Sequence, residues 1–194
     1  MFENLINKVV NYWVIEGIIA ETDEDIYAYG LDLLLFSAVN LIVILITALI
    51  TGKLLESLLL IAVTIPLQMF GGSYHAKSHL NCFLIMYIGW WLAIGIAPNL
   101  DHMSAIFIAV CSLVLILCLA PVSHKNVPIS SGQSKKMKVL VRIFTITFVV
   151  ISVLLSDIFL GMQFFSNFIA VGLGAIALSM LAAKVKCSLL TPFA

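Results

Sequence analysis

The amino-acid sequence predicts an all-α, polytopic membrane protein with about six transmembrane helices and an amphipathic N-terminal helix. Hydrophobic residues make up 62% of the 194, and charged residues only 10%, whereas a soluble domain carries roughly 25% charged residues. Mean hydropathy is +1.16. The apolar residues also fall in long runs, several of them able to supply the ~20 residues that a membrane-crossing helix needs. A net charge of +0 at pH 7 excludes a generally basic nucleic-acid binder, so the expected surroundings are a lipid bilayer and no nucleic acid.

The N-terminal section, residues 1–25, comes first. Phe2, Leu5, Ile6, Val9, Val10 and Trp13 recur at helical spacing, with Glu3, Asn4, Asn7, Lys8 and Asn11 on the other face. This is the pattern of a helix lying in the membrane interface or packed on the inner side of a bundle. Met1-Phe2-Glu3-Asn4 lacks the basic start and apolar core of a cleavable signal peptide. Glu21-Thr22-Asp23-Glu24-Asp25 closes the section, and Thr22 with Asp25 resembles a capping box opening the next helix.

Residues 26–186 form the membrane domain, and 187–194 a short C-terminal tail. Spans are expected near 28–51, 54–70, 82–99, 103–121, 139–159 and 163–183. The second is short and contains Pro66, and the third runs only to Pro98. Short spans beside a polar break fit a broken or re-entrant element lining a cavity. Small residues four apart (Gly89, Ala93 and Ala97; Ala175, Ser179 and Ala183) suit close helix packing, internal or between two copies.

Orientation follows from the basic residues. With an even number of spans, Lys8, Lys77, Lys125, Lys135, Lys136, Lys138, Arg142, Lys184 and Lys186 share one side, against Lys53 alone on the other. That asymmetry puts both termini in the cytoplasm. Asp101, His102 and Asp157 then belong to loops on the outer face.

The break between spans two and three reads Gly71-Gly72-Ser73-Tyr74-His75-Ala76-Lys77-Ser78-His79-Leu80-Asn81-Cys82. A thiol and two imidazoles at a membrane boundary are costly there and point to chemistry. A cysteine protease needs a thiolate nucleophile and a base that returns the proton to the leaving amine, a role that suits histidine. With Asn81 as cap, Cys82 would sit in the first turn of span three, where the helix dipole favours a thiolate. Lys77 and a protonated His75 would add to this. On one straight helix His75 and Cys82 are about 10.5 Å apart along the axis, so the pair works only if 75–82 is not helical throughout. Gly71, Gly72 and Ser78 favour such a loop.

Other readings of the same residues stay open. His79 is three residues from Cys82 and could reach it on a helix. His75, His79 and Cys82 could be three zinc ligands, although no fourth ligand or HExxH pattern is evident. All three could also be interfacial polar residues without a catalytic role. Cys111 and Cys118 lie inside an apolar run and read as small hydrophobes. With Cys82 and Cys187, they show no CxxC pair or disulfide framework.

The Gly-Gly…Tyr-His-Ala-Lys-Ser…Cys pattern from Gly71 to Cys82 resembles the signature of the AgrB family, the accessory gene regulator B peptidases of Gram-positive quorum sensing. A second stretch is similar too: Ala120-Pro121-Val122-Ser123-His124-Lys125-Asn126-Val127-Pro128-Ile129, leading to Lys135-Lys136-Met137-Lys138. Size, six spans and a cytoplasmic basic loop agree. Two departures stand out: Gln68 occupies a position where the pattern has arginine, and Ser73 is an extra residue between Gly-Gly and Tyr-His.

The resemblance implies a bacterial membrane peptidase that cuts the C-terminal tail from a short, AgrD-like precursor peptide. It then helps close a thiolactone or lactone ring. Cys82 would be the nucleophile and His75 the general base and acid, with no cofactor or metal. Gln68, Ser73, Asn81 or nearby backbone amides would supply oxyanion donors, and His79 further support. Lys77, Lys135, Lys136, Lys138 and Arg142 would guide an acidic peptide tail, although Lys135 to Arg142 also read as a lipid-facing, topology-setting loop. The family and the small-residue stripes favour a homodimer. A competing class, a membrane exporter of a small peptide, lacks an inverted repeat and mid-span charges. A non-enzymatic scaffold is the third reading.

Overall fold

The computed structural model describes residues 3–72, 79–122, 131–157 and 162–189, all helices and short connections without strands among them. Six helices are long and apolar enough to cross a membrane. The chain divides into two compact units, Met1–Gly52 and Lys53–Ala194.

The first unit holds α1 (Glu3–Ile15) and α2 (Glu24–Ile50). Helix α1 buries Ile6 and Val10, exposes Glu3, Asn4, Asn7, Lys8 and Asn11, and packs against α2. The rings of Trp13 and Tyr27 meet edge to face at 6.4 Å. Helix α1 ends in a Schellman motif: Ile18 N–H donates to Trp13 C=O at 2.9 Å and Gly17 N–H to Val14 C=O at 3.0 Å, with Gly17 at φ +68°.

The capping box expected of Thr22 and Asp25 does not form. Thr22 lies inside a 3-10 turn, Glu21–Asp23, and Asp23 precedes α2 with no side-chain cap bond. A capping residue needs extended backbone, whereas Asp23 sits at φ −103°, ψ 0°.

The second unit packs α3 (Leu54–Gly71), α4 (His79–Ile96, then a 3-10 turn Ala97–Asn99), α5 (His102–Leu119), α6 (Ser131–Asp157) and α7 (Gln163–Leu189). Helix α7 is its axis and touches the other four. Half of its span is buried, against at most 28% for the others. Its residues Phe168, Leu173, Ile176 and Met180 are among the most buried in the chain. On α5 the facing stripe is Ala105, Ala109, Ser112 and Ile116. Gly174 takes α5 at close range: a Cβ there would lie 3.3 Å from Ile108 Cγ2. Lipid provides no hydrophobic drive between apolar helices, so close backbone approach and dispersion hold such interfaces.

Polar side chains pin the bundle. Trp90 Nε1–H donates to Ser57 Oγ at 3.0 Å, joining the far part of α4 to the first turns of α3 and making the two antiparallel. Asn167 Nδ2 donates to the carbonyls of Ala97 (3.0 Å) and Leu100 (2.9 Å). Ser152 and Ser166 hydroxyls pair at 2.9 Å, and His102 Nδ1 pairs with Ser156 Oγ. Asp101 caps α5, accepting from the Ser104 amide (3.3 Å) and hydroxyl (2.5 Å).

Two further expectations change, while a broken or re-entrant element at the polar break falls on residues 73–78, outside the described ones. Helices α3 and α4 beside it have 18 residues each, about 27 Å at 1.5 Å per residue, and α3 continues through Pro66 to Gly71. The small-residue stripes are partly consumed inside the unit. Ala93, Ala97 and Ala183 are buried, whereas Ala175 and Gly89 are exposed, with nothing within 4 Å of a Cβ at Gly89. Finally, α6 begins at Ser131 rather than near 139, so Lys135, Lys136, Lys138 and Arg142 stand on a helix and not in a loop.

Candidate functional site

Cys82 is the fourth residue of α4 and is half-buried. Asn81 lies inside α4, as described from His79, and is exposed, so it does not cap the helix as expected. Cys82 stands among the first described residues of α4. His79 precedes it by three residues on the same helix, at the spacing that puts side chains on one face. His75, Ser73 and Lys77 lie outside the described residues, and so does part of any zinc site built on His75, His79 and Cys82. Gln68 is half-buried in the last turn of α3, and its carbonyl accepts the Gly72 N–H at 3.1 Å.

The departure of the chain from α3 is sharply defined. Gly72 sits at φ +74°, ψ 158°, a region that only glycine occupies without strain. A Cβ there would lie 2.5 Å from the Val122 carbonyl oxygen. In the other direction, Val122 N–H donates to Gly71 C=O at 2.9 Å. A Cβ at Gly71 would in turn collide with the Met180 side chain of α7 and lie 3.5 Å from Val141 of α6. Gly71 and Gly72 thus do more than loosen a loop: they let the end of α5 close on the end of α3, over α6 and α7. The adjacent pair of glycines was the available signal, but sequence alone does not name a partner 50 residues away.

The basic residues share this end. Arg142 follows Val141, whose side chain packs against Gly71, and Phe70 stacks on Phe144 at 5.8 Å. Lys135, Lys138 and Arg142, spaced by three and four, form one exposed stripe of α6, with Lys136 exposed beside it. Thiol, glycine bridge and cationic stripe therefore occupy the same end of α3 to α7. Such an arrangement can present a nucleophile to a peptide while holding an anionic segment nearby.

No curated protein and no solved structure matches the chain at a significant level. One family model, Accessory gene regulator B, matches residues 3–182. Both segments that meet at the Gly71–Val122 bridge lie inside that match, as do all six membrane-length helices except the last turns of α7, and the chain belongs to the AgrB family.

Proposed function

We propose that this protein is a membrane-embedded cysteine endopeptidase that cleaves the C-terminal tail from a short quorum-sensing precursor and promotes (thio)lactone ring formation. The observation that carries this reading is the position of Cys82: half-buried in the membrane-length helix α4, which follows the polar break of the sequence. An excess of nine basic residues against one supports a cytoplasmic position for this end and for both termini, in a bacterial cell membrane.

In the proposed reaction His75 takes the Cys82 proton as sulfur attacks a precursor carbonyl carbon. The tetrahedral adduct collapses with cleavage of the C–N bond, and His75 returns the proton to the departing amine. The retained part is now a Cys82 thioester. A thiol or hydroxyl side chain of the same peptide then attacks that carbonyl as His75 takes its proton, the Cys82–acyl bond breaks, His75 returns the proton to the Cys82 sulfur, and the ring closes. Exchange of one thioester for another is close to energy-neutral, whereas hydrolysis discards the acyl bond, so the site must keep water away. Asn81, Gln68, Ser73 or first-turn amides of α4 are the candidate oxyanion donors. The α6 stripe holds an acidic tail, and a second copy of the chain completes a homodimer.

Co-expression with a precursor peptide encoded beside the gene, read by mass spectrometry, tests this. Cys82→Ala is expected to abolish tail release and cyclisation. Undiminished processing by Cys82→Ala would leave a carrier or scaffold as the better reading.

A further inference from the structure

We infer that Arg142 and Lys138 of α6 form a site for the headgroup phosphate of an anionic phospholipid. Depth is the first argument. The membrane-length stretch of α6 is Ser134–Ser156 and includes Arg142. Ser156 pairs with His102 beside the Asp101 cap, at the far polar end of the bundle, and Arg142 is about 21 Å from it along the helix. Helix α3 gives a second ruler. Gly71 packs level with Val141, about 27 Å along the chain from Lys53, which pairs with Glu56. Both lengths fall short of the ~30 Å hydrocarbon layer, so the Arg142 backbone lies within it. The side chain is nevertheless exposed, among exposed Val139, Ile143 and Ile146. A charge at that depth on an aliphatic face must extend to the headgroups. Helical side chains lean toward the N-terminus, and in α6 that is the near side, where Lys138 stands one turn away.

Charge is the second argument. Among the described residues no carboxylate pairs with Arg142 or Lys138, whereas Lys53 is met by Glu56 at 3.1 Å. Like charges four residues apart on a helix repel, and a phosphate between them turns that cost into attraction. The guanidinium fork can donate to two phosphate oxygens, with Lys138 as a point charge beside it. Two such cations favour a lipid of net negative charge over a zwitterionic one, whose own ammonium already offsets its phosphate. Lys135 and Lys136 stand about 10 Å farther toward the helix start than Arg142 and are left to the acidic tail. Depth thus divides one stripe between lipid and peptide.

Native mass spectrometry of the purified full chain in detergent tests this, with phosphatidylglycerol, phosphatidylcholine, inorganic phosphate and the soluble acidic peptide hexaglutamate as probes. The parent should bind phosphatidylglycerol about 25-fold tighter than phosphatidylcholine, roughly fivefold for each cation. Arg142→Gln combined with Lys138→Gln should abolish that preference. Lys135→Gln combined with Lys136→Gln removes the same charge, but beyond the ~8 Å Debye length from Arg142 at about 0.15 M salt. Its preference should stay within about threefold of the parent. Where the first double variant fails to fold, the choice of the parent among the four probes decides. Equal binding of the two lipids by the parent overturns the site, and so does an equal loss in both double variants, which marks a diffuse patch. Displacement of phosphatidylglycerol by inorganic phosphate overturns the lipid as source. Displacement by hexaglutamate returns Arg142 and Lys138 to the peptide and overturns the division by depth.

Discussion

At the scale of single residues, the α4 N-terminus carries the sharpest questions. His79 has the helical spacing to Cys82, whereas His75 is tethered three residues from Gly72. If His75 is the base, His75→Ala should lower kcat by about 100-fold or more, the usual weight of general acid–base catalysis. His79→Ala should then cost much less, as read by tail release on a mass spectrometer. The reverse ranking would assign the base to His79. At the opposite end of α5, Asp101 shows a different residue-level effect. Hydrogen bonds from the Ser104 hydroxyl and amide hold its carboxyl below the ordinary carboxylate range. A lowered folded-state pKa means the unfolded chain takes up protons first as pH falls, so the cap's contribution is present above the unfolded carboxylate pKa of about 3.9 and is lost as pH falls on through the lower folded value. The melting-temperature gap between the parent and Asp101→Ala should therefore narrow progressively as a detergent sample is acidified from neutral pH through that range.

At the scale of elements, α6 and the α3–α4 pair differ in what their polar groups do. The stripe of Lys135, Lys138 and Arg142 is exposed and helical. Guidance of an acidic tail by these charges predicts a raised KM with kcat retained in the triple substitution by glutamine, and the difference should shrink with added salt. A stripe that serves only the lipid surface would leave KM unmoved. Between α3 and α4, the Trp90–Ser57 bond is buried. Ser57→Ala leaves an indole N–H without its partner in an apolar setting, at a cost of about 1–2 kcal/mol. Thermal unfolding followed by circular dichroism checks this.

For the whole molecule, the second unit depends on how closely its helices approach α7. A Cβ at Gly172 would lie 3.1 Å from Val63 Cγ1 and 3.3 Å from Val63 Cβ, so α3 rests on bare α7 backbone there. Gly172→Ile should push α3 away and destabilise the bundle by about 1–3 kcal/mol, the range for overpacking, seen as earlier loss of helical signal on heating. Topology gives a separate expectation. If Cys82 faces the cytoplasm, as proposed, a membrane-impermeant thiol reagent should label it in inside-out vesicles and not in intact cells, judged against Cys82→Ala.

The sequence by itself determined the class of molecule, the number of spans, the amphipathic character of α1, and the polar segment that carries Cys82. These follow from hydropathy and residue chemistry, which each stretch carries regardless of its neighbours. Helix starts were less legible. Lys135 to Arg142 read as loop because charge interrupts hydropathy, yet lysine and arginine are good helix formers and α6 runs through them. Thr22 and Asn81 read as caps from residue type, but a cap is decided by backbone angles one residue at a time. Only the tertiary structure decided which faces pack and that Gly72 meets Val122. A helix apolar all round carries no mark of its inward face, and in lipid the choice falls to backbone approach and dispersion, properties of pairs of helices and not of one sequence window.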